Sequence, residues 1–425
     1  MRELRGLAAS LDAVRDRGRI DHDPGVEDAV RTIVRNVRER GDDAVRDATA
    51  RFDGVTLDDL TIPVESVATA AARLDAPLRE AIDLAADRIE AFHRRQPVGG
   101  FLEAEGGAVL GQLVRPIERV GVYVPGGTAP LFSSLLMCAL PARVAGVPTV
   151  VAATPPGPDG TVPAEIRYAA ARAGVASLVR AGGAQAIAAL AYGTASIPAV
   201  DKIVGPGNRY VIEAKRQVFG TVGIEALPGP TETLVIAGPD ADPVHVAADL
   251  LAQAEHLDAR PVLVAWSDAL IARVLEELER QLRDLTTADA ARASLTERGL
   301  LCRVDDLEQA IVVANAHAPE HLCLLVDDPW AVLPQVRNAG GVFLGAHSME
   351  ALGDYAAGPS HVMPTMATAR FASAVNVRDF QKVVPVVSLS PELVRRIGPA
   401  AARMARAEHL EAHARAVETR LDPTD

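Results

Sequence analysis

The chain has 425 residues, 49% hydrophobic and 23% charged, with a formal net charge of −13. That length carries two or more compact domains with their own cores, in an ordinary soluble globular balance. The acidic surplus argues against a nucleic-acid partner, because no basic excess is present to neutralise phosphates.

Cys138, Cys302 and Cys323 are an odd, widely spaced trio, which suits a reducing compartment and no disulfide framework. The start, Met1-Arg-Glu-Leu-Arg5, has no apolar signal region. The most apolar stretch, residues 131–154, is interrupted by Pro141, Arg143 and Pro148, so it reads as a buried helix and a strand, with no membrane span. The expectation is a cytoplasmic protein.

Helical periodicity runs from about residue 24 to 93. Val26, Val30, Ile33, Val34 and Val37 form one stripe; Leu78, Ile82, Ala85, Ile89 and Phe92 form another. A hairpin-like piece follows at 106–116. From Arg119 strands and helices alternate: strands at 120–124, 149–153, 176–180 and 202–204, with helices ending near 145 and spanning 163–173, 184–191 and 210–219. A second run follows the joint Leu227-Pro-Gly-Pro230. It has strands at 233–237, 262–266, 323–326 and 341–344, helices at 243–256 and 269–285, and one ending near His317. Short β-branched strands separated by helices predict parallel sheets with right-handed crossovers. The expected class is α/β: two parallel-sheet, Rossmann-like domains with a cleft between them, plus small helical N- and C-terminal segments. The tail from Pro391 is too polar for a core of its own and must dock on the body or on another subunit.

Three glycine-rich turns sit between a predicted strand and a helix: Val124-Pro-Gly-Gly127-Thr128, Ala181-Gly-Gly183-Ala184-Gln185 and Gly205-Pro-Gly207-Asn208. Glycine there lets backbone approach a ligand, and a helix start favours phosphate; the same glycines also suit βα geometry alone. None matches G-x-G-x-x-G.

Gln253 and His256 lie three apart near the end of a predicted helix, a spacing that suits two corners of a metal site and equally a polar helix end. Glu320-His321 pairs an acid with an imidazole after Pro319, suited to acid–base work or to a surface pair. Gly353-Asp354-Tyr355 and Ser360-His361 occupy a turn-rich loop, where Asp is favoured anyway. In the tail, His409 and His413 are i, i+4, flanked by Glu408 and Glu411, on a helix polar enough to be a solvated face.

Taken in order, these clusters resemble the histidinol dehydrogenase family over nearly the whole chain, from about Pro24 to His413. The stretches that carry it are Val122-Tyr-Val-Pro-Gly-Gly127, Gly182-Gly-Ala-Gln185, Val204-Gly-Pro-Gly-Asn208, Gln253-Ala-Glu-His256, Ala318-Pro-Glu-His-Leu322, Gly353-Asp-Tyr355, His361-Val-Met-Pro-Thr365 and residues 408–413. The resemblance implies Zn2+ held by Gln253, His256, Asp354 and His413, the last from a partner subunit. It implies His321 as general base and Glu320 as the group that activates water. Tyr123, Gln185 and Asn208 would contact NAD; Thr231 and Glu408 would hold substrate alongside Gln253, His256, His321, Asp354 and His413. His361 would support the site. The implied reaction is oxidation of L-histidinol to L-histidine with two NAD, in a homodimer.

The corresponding division is 1–24 as an N-terminal segment, 25–122 with 231–375 as the domain of metal and catalytic residues, 123–230 as the NAD side, and 376–425 as the helical tail. Departures from the family pattern cluster near the expected substrate pocket. Thr231 stands for the usual Ser, Ser360 for Asn, Met349 for Pro and Met366 for Gly, and Leu257-Asp258 replaces Gly-Pro or Asp-Pro. The rival readings are a paralogue that oxidises another small polar alcohol, and a two-lobed protein that captures a small ligand without chemistry.

Overall fold

The computed structural model describes residues 1–15, 23–96, 99–126, 130–256 and 258–421. Gly127 and Thr128 of the first glycine-rich turn, and Leu257 after His256, lie outside the described residues. The chain forms two compact units: Met1–Gln96 with Glu118–Phe380, and Pro97–Ile117 with Gln381–Asp425.

The larger unit holds two six-stranded sheets. Sheet I runs, in spatial order, Arg2–Arg5, Leu300–Arg303, Arg260–Ala265, Glu232–Ala237, His321–Leu325 and Gly341–Leu344, all parallel. Its central strands Glu232–Ala237 and His321–Leu325 are buried at every position, as expected where helices cover both faces. Side chains alternate between two cores. Val235, Ala237 and Leu263 pack with the helices Pro243–Ala254 and Asp268–Leu282, while Leu234, Ile236 and Val262 pack with Leu307–His317.

Sheet II runs Thr61–Pro63, Ser177–Arg180, Thr149–Thr154, Arg119–Tyr123, Lys202–Val204 and Gly223–Ile224. Only the edge strand Thr61–Pro63 is antiparallel among these pairings. The α/β class and its parallel sheets are as the alternation predicts.

Helix boundaries follow local chemistry. The Asp23 carboxylate accepts from the N–H groups of Gly25 and Val26, with Pro24 at the first turn, and so starts the helix Pro24–Arg40. Asp242 and Pro243 begin Pro243–Ala254 in the same way.

The cores divide the chain differently from the expected boundaries. The expectation joins residues 25–122 with 231–375 in one domain, yet Val26, Val30, Val34 and Val37 pack with Val151, Ala153 and Val179 of sheet II. Strands Thr61–Pro63 and Arg119–Tyr123 also belong to sheet II. An apolar helical stripe specifies that a face is covered and says nothing about which sheet covers it. The N-terminal segment, expected to be helical, opens with the edge strand Arg2–Arg5 before the helix Leu7–Val14. Its charged residues hide the strand from periodicity, although they suit an exposed edge.

In the smaller unit the hairpin Phe101–Glu105/Ala108–Pro116 turns through Gly106 and Gly107, both at positive φ. Gln381–Leu389 pairs antiparallel with Ala108–Pro116, so the expected helical tail begins with a strand. The helices Pro391–Ala407 and Glu411–Glu418 follow, with Gly398 approaching Val417 and Leu421 closely.

Candidate active site

Two adjacent strands of sheet I converge on one buried cluster. Ala318, in left-handed conformation at φ 55°, ends the helix Leu307–His317, and Pro319 leads into Glu320 and the strand residue His321. Neighbouring side chains on a strand diverge, but Glu320 precedes the strand, and both groups therefore face Thr231–Glu232. Glu320 is 7% exposed and His321 2%.

The Glu232 N–H donates to Glu320 Oε2 at 3.0 Å, and the Glu232 carbonyl accepts from His321 Nδ1 at 3.1 Å. In the neutral ring that second bond puts the proton on Nδ1 and leaves Nε2 as the acceptor. Nε2 is buried without a hydrogen-bond partner and lies 3.6 Å from Asp354 Oδ1. Thr231 Oγ1 sits 2.6 Å from Glu320 Oε2 and 2.7 Å from Gln253 Oε1.

Gln253 is 2% exposed near the end of the helix Pro243–Ala254. The helix stops two residues before His256, which occupies the next turn with its N–H on the Gln253 carbonyl at 3.0 Å and its side chain exposed. The predicted helical face therefore becomes a helix end plus a turn. Asp354 lies on the short helix Glu350–Tyr355. His361 Nδ1 donates to the Asp354 carbonyl at 2.7 Å, and its Nε2 is 3.2 Å from the Ser134 hydroxyl.

Burial dominates the acidities. It raises the carboxyl of Glu320, against the opposing charge of His321 and the hydrogen bond of Thr231. Burial, with Glu320 nearby, lifts Glu232 to about 7, and burial lifts Glu350 to about 8 and Asp249 to about 6. For His321 burial opposes the charged ring, but Glu320, Asp354 and Glu350 outweigh it and raise it to about 10. At Asp354 burial acts to raise the carboxyl, while the His321 ring 3.6 Å away, with His361 and His256, holds it below the usual range.

A separate cavity of about 1020 Å³ lies against sheet II, walled partly by the helices Pro24–Arg40 and Asp42–Phe52. Tyr123, Gln185 and Asn208 all line it. The Tyr123 hydroxyl accepts from the Gly183 N–H at 3.0 Å, and burial pushes Tyr123 up to about 12. Gly183 starts its helix at φ 60°. Asn208 Oδ1 caps the helix Arg209–Val218 by accepting from the N–H groups of Tyr210 and Val211. A Cβ on Gly205 would stand 2.1 Å from the Tyr123 carbonyl, so this turn needs glycine for close backbone approach.

A family model for histidinol dehydrogenase matches residues 16–421 of this chain. The chain belongs to the histidinol dehydrogenase family. It is 58% identical over 397 residues to a histidinol dehydrogenase of Deinococcus radiodurans, covering 93% of this chain and 91% of that relative. Identity to the one from Thermus thermophilus is 55% over 402 residues, covering 94% and 96%. The crystal structure of histidinol dehydrogenase from Elizabethkingia anophelis superposes with a TM-score of 0.93 at 35% identity, covering 99% of this chain and 98% of that one.

Within this family member the expected residues fall into three groups. Thr231, Gln253, Glu320, His321 and Asp354 cluster through the contacts given above, with His256 close enough to influence Asp354. Tyr123, Gln185 and Asn208 share the cavity on sheet II. Glu408 and His413 are exposed on the smaller unit. Among the described residues, no three His, Cys, Asp or Glu side chains gather as a metal-holding group.

Sequence reasoning missed Glu232, Glu350 and the pair Lys215–Glu225. Lys215 is fully buried and donates to the Gly205 carbonyl at 2.6 Å and to Glu225 at 2.7 and 2.9 Å. Glu225 also accepts from the Gly205 N–H at 2.7 Å, so the pair clamps this turn from beneath. A usable signal existed for Glu350, which precedes Asp354 by one helical step of four.

Proposed function

We propose that this protein oxidises L-histidinol to L-histidine through L-histidinal, with NAD as the acceptor of two successive hydrides and a zinc ion in the site. The observation that carries the reading is the Glu320–His321 pair, locked by both main-chain groups of Glu232 with His321 Nε2 left unpartnered.

The residues present suit zinc. Gln253 and Asp354 offer oxygen donors and His256 an exposed imidazole, a mixed set typical of a borderline cation. Three donors leave a shell to complete, and the exposed His413 of a second copy would supply the fourth. Gln253, His256 and Asp354, with the partner's His413, would hold the metal. Zinc when bound orients the amino alcohol, and NAD when bound accepts hydride in each oxidation.

The protein side of the chemistry follows from the proton inventory. In its neutral form, which a zinc cation beside Asp354 would favour over the imidazolium, His321 takes the alcohol proton at Nε2 as the carbinol carbon loses its first hydride, giving the aldehyde. The surrounding carboxylates stabilise the imidazolium so formed. Once that proton has passed to solvent, water adds to the aldehyde carbon with Glu320 and His321 removing its proton. Loss of the second hydride together with the remaining hydroxyl proton, again through His321 to solvent, gives the carboxylate. Thr231, and Glu408 of the second copy, would hold the substrate. On the other side, Tyr123, Gln185 and Asn208 would contact the dinucleotide in the cavity, whose size accommodates such a ligand. The proposed assembly is a homodimer. No helix among the described residues is long and apolar enough to cross a membrane.

The test is NADH formation from L-histidinol by purified protein, with and without chelator. Chelator-sensitive release of two NADH per substrate is expected. No turnover by folded, zinc-loaded protein would overturn the substrate assignment and point to other amino alcohols or diols. His321→Asn separates enzyme from binding protein: turnover should vanish while ligand binding persists.

A further inference from the structure

Thr231 Oγ1 stands between two acceptors, Gln253 Oε1 at 2.7 Å and Glu320 Oε2 at 2.6 Å, yet a hydroxyl carries one proton. It donates to one of them only. With Glu320 ionised, the form its role toward water requires, two acceptor oxygens facing the same hydroxyl leave one short contact without a hydrogen in it.

The neighbours decide which contact keeps the proton. Glu320 Oε2 already accepts the Glu232 N–H at 3.0 Å, which marks it as an acceptor oxygen with a second lone pair for Thr231. The Thr231 hydrogen then points to Glu320, and Thr231 Oγ1 offers Gln253 only a lone pair. The group that meets a lone pair is the amide NH2. The two ends of a glutamine amide are nearly isosteric, so the exchange is a half-turn about the last side-chain torsion and leaves the 2.7 Å separation intact.

We propose that Thr231 is a positioning residue for Gln253: its hydroxyl donates to Glu320, accepts from the Gln253 NH2, and so reserves Gln253 Oε1 for a metal ion. This rests on the zinc site proposed above. Metals of this class bind the amide through its carbonyl oxygen, since the NH2 group has no available lone pair. Gln253 is buried and therefore has few alternative partners with which to settle its orientation. The β-branched Thr231 side chain is also stiffer about χ1 than an unbranched hydroxyl-bearing one, and holds the hydroxyl on this line.

The experiment measures zinc affinity of the full-length protein by competition with a chromophoric chelator, without substrate or NAD. Thr231→Val keeps the shape and removes the hydroxyl; Thr231→Ser keeps the hydroxyl. Thr231→Val should bind zinc about 10- to 100-fold more weakly, the usual effect of losing a group that orients a metal ligand. Thr231→Ser should stay close to the parent. Thr231→Ala is read in parallel and carries the test if the valine variant does not fold. Parent-like affinity in a folded hydroxyl-free variant, or equal weakening in Thr231→Ser, overturns the proposal. Absence of zinc binding by the parent protein would instead overturn the metal site itself.

Discussion

Ser134 and His361 meet at 3.2 Å, hydroxyl against Nε2, and tie the helix Phe132–Val144 to the segment that follows Asp354. The other ring nitrogen of His361 donates to the Asp354 carbonyl at 2.7 Å. One imidazole thus links the packing beside sheet II to a candidate metal ligand beside sheet I. His361→Phe should lower zinc affinity by about 10- to 100-fold, since such orienting groups carry effects of that size. Ser134→Ala, which leaves the bond to Asp354, should have the smaller effect. Chelator competition on both variants checks the order.

The shared-site reading makes a stoichiometric prediction. His321→Asn and His413→Ala should each be inactive alone. Refolded together, half the dimers are mixed, and each mixed dimer holds one site with neither change. Activity should return to about a quarter of the parent level, by the mass-action logic of symmetric dimers. No recovery in a mixture that forms mixed dimers would sink the idea that His413 serves a neighbour.

Lys215 and Glu225 lie buried beneath the Gly205 turn. Lys215→Met leaves Glu225 charged and unpaired in the interior, a change expected to cost about 3–5 kcal/mol. It also frees the turn that approaches Tyr123. Urea unfolding should show the destabilisation, and kinetics should show a raised KM for NAD with that for L-histidinol little changed. Adding Glu225→Leu should recover much of the stability.

His317 is buried, and burial, with Arg260 and Arg370 nearby, lowers its pKa to about 4. The unfolded ring titrates near 6.5, so below that pH the unfolded chain binds a proton that the native chain refuses. The native advantage is complete above 6.5, falls as pH drops, and is used up near 4, for a total of about 3 kcal/mol. Unfolding of the parent should lose stability across this window. His317→Gln should show a shallower slope between pH 6.5 and 4, and an unchanged slope would refute the assignment.

Much of the larger unit was legible locally. Val26, Val30, Val34 and Val37 repeat with the helical period and are buried on one face. Residues 234–237 and 322–325 are the short apolar runs that parallel strands require. Arg2–Arg5 was not legible, because an edge strand is made by backbone pairing with Leu300–Arg303 and its side chains carry no period. Likewise Gln381–Leu389 owes its strand to Ala108–Pro116, far away in sequence.

The sequence by itself determined the chemistry on offer: the order of Gln253, His256, Glu320, His321 and Asp354, the glycine turns, and the helix starts at Asp23 and Asp242. Those features depend on residue type and near neighbours. Only the tertiary structure decided which acids share one buried space. Glu232 meets Glu320 because adjacent parallel strands pair Thr233 with His321, a register that joins residues 88 apart. Burial then sets the acidity of both carboxyls, and burial comes from every element packed around them, not from the residues beside them in the chain.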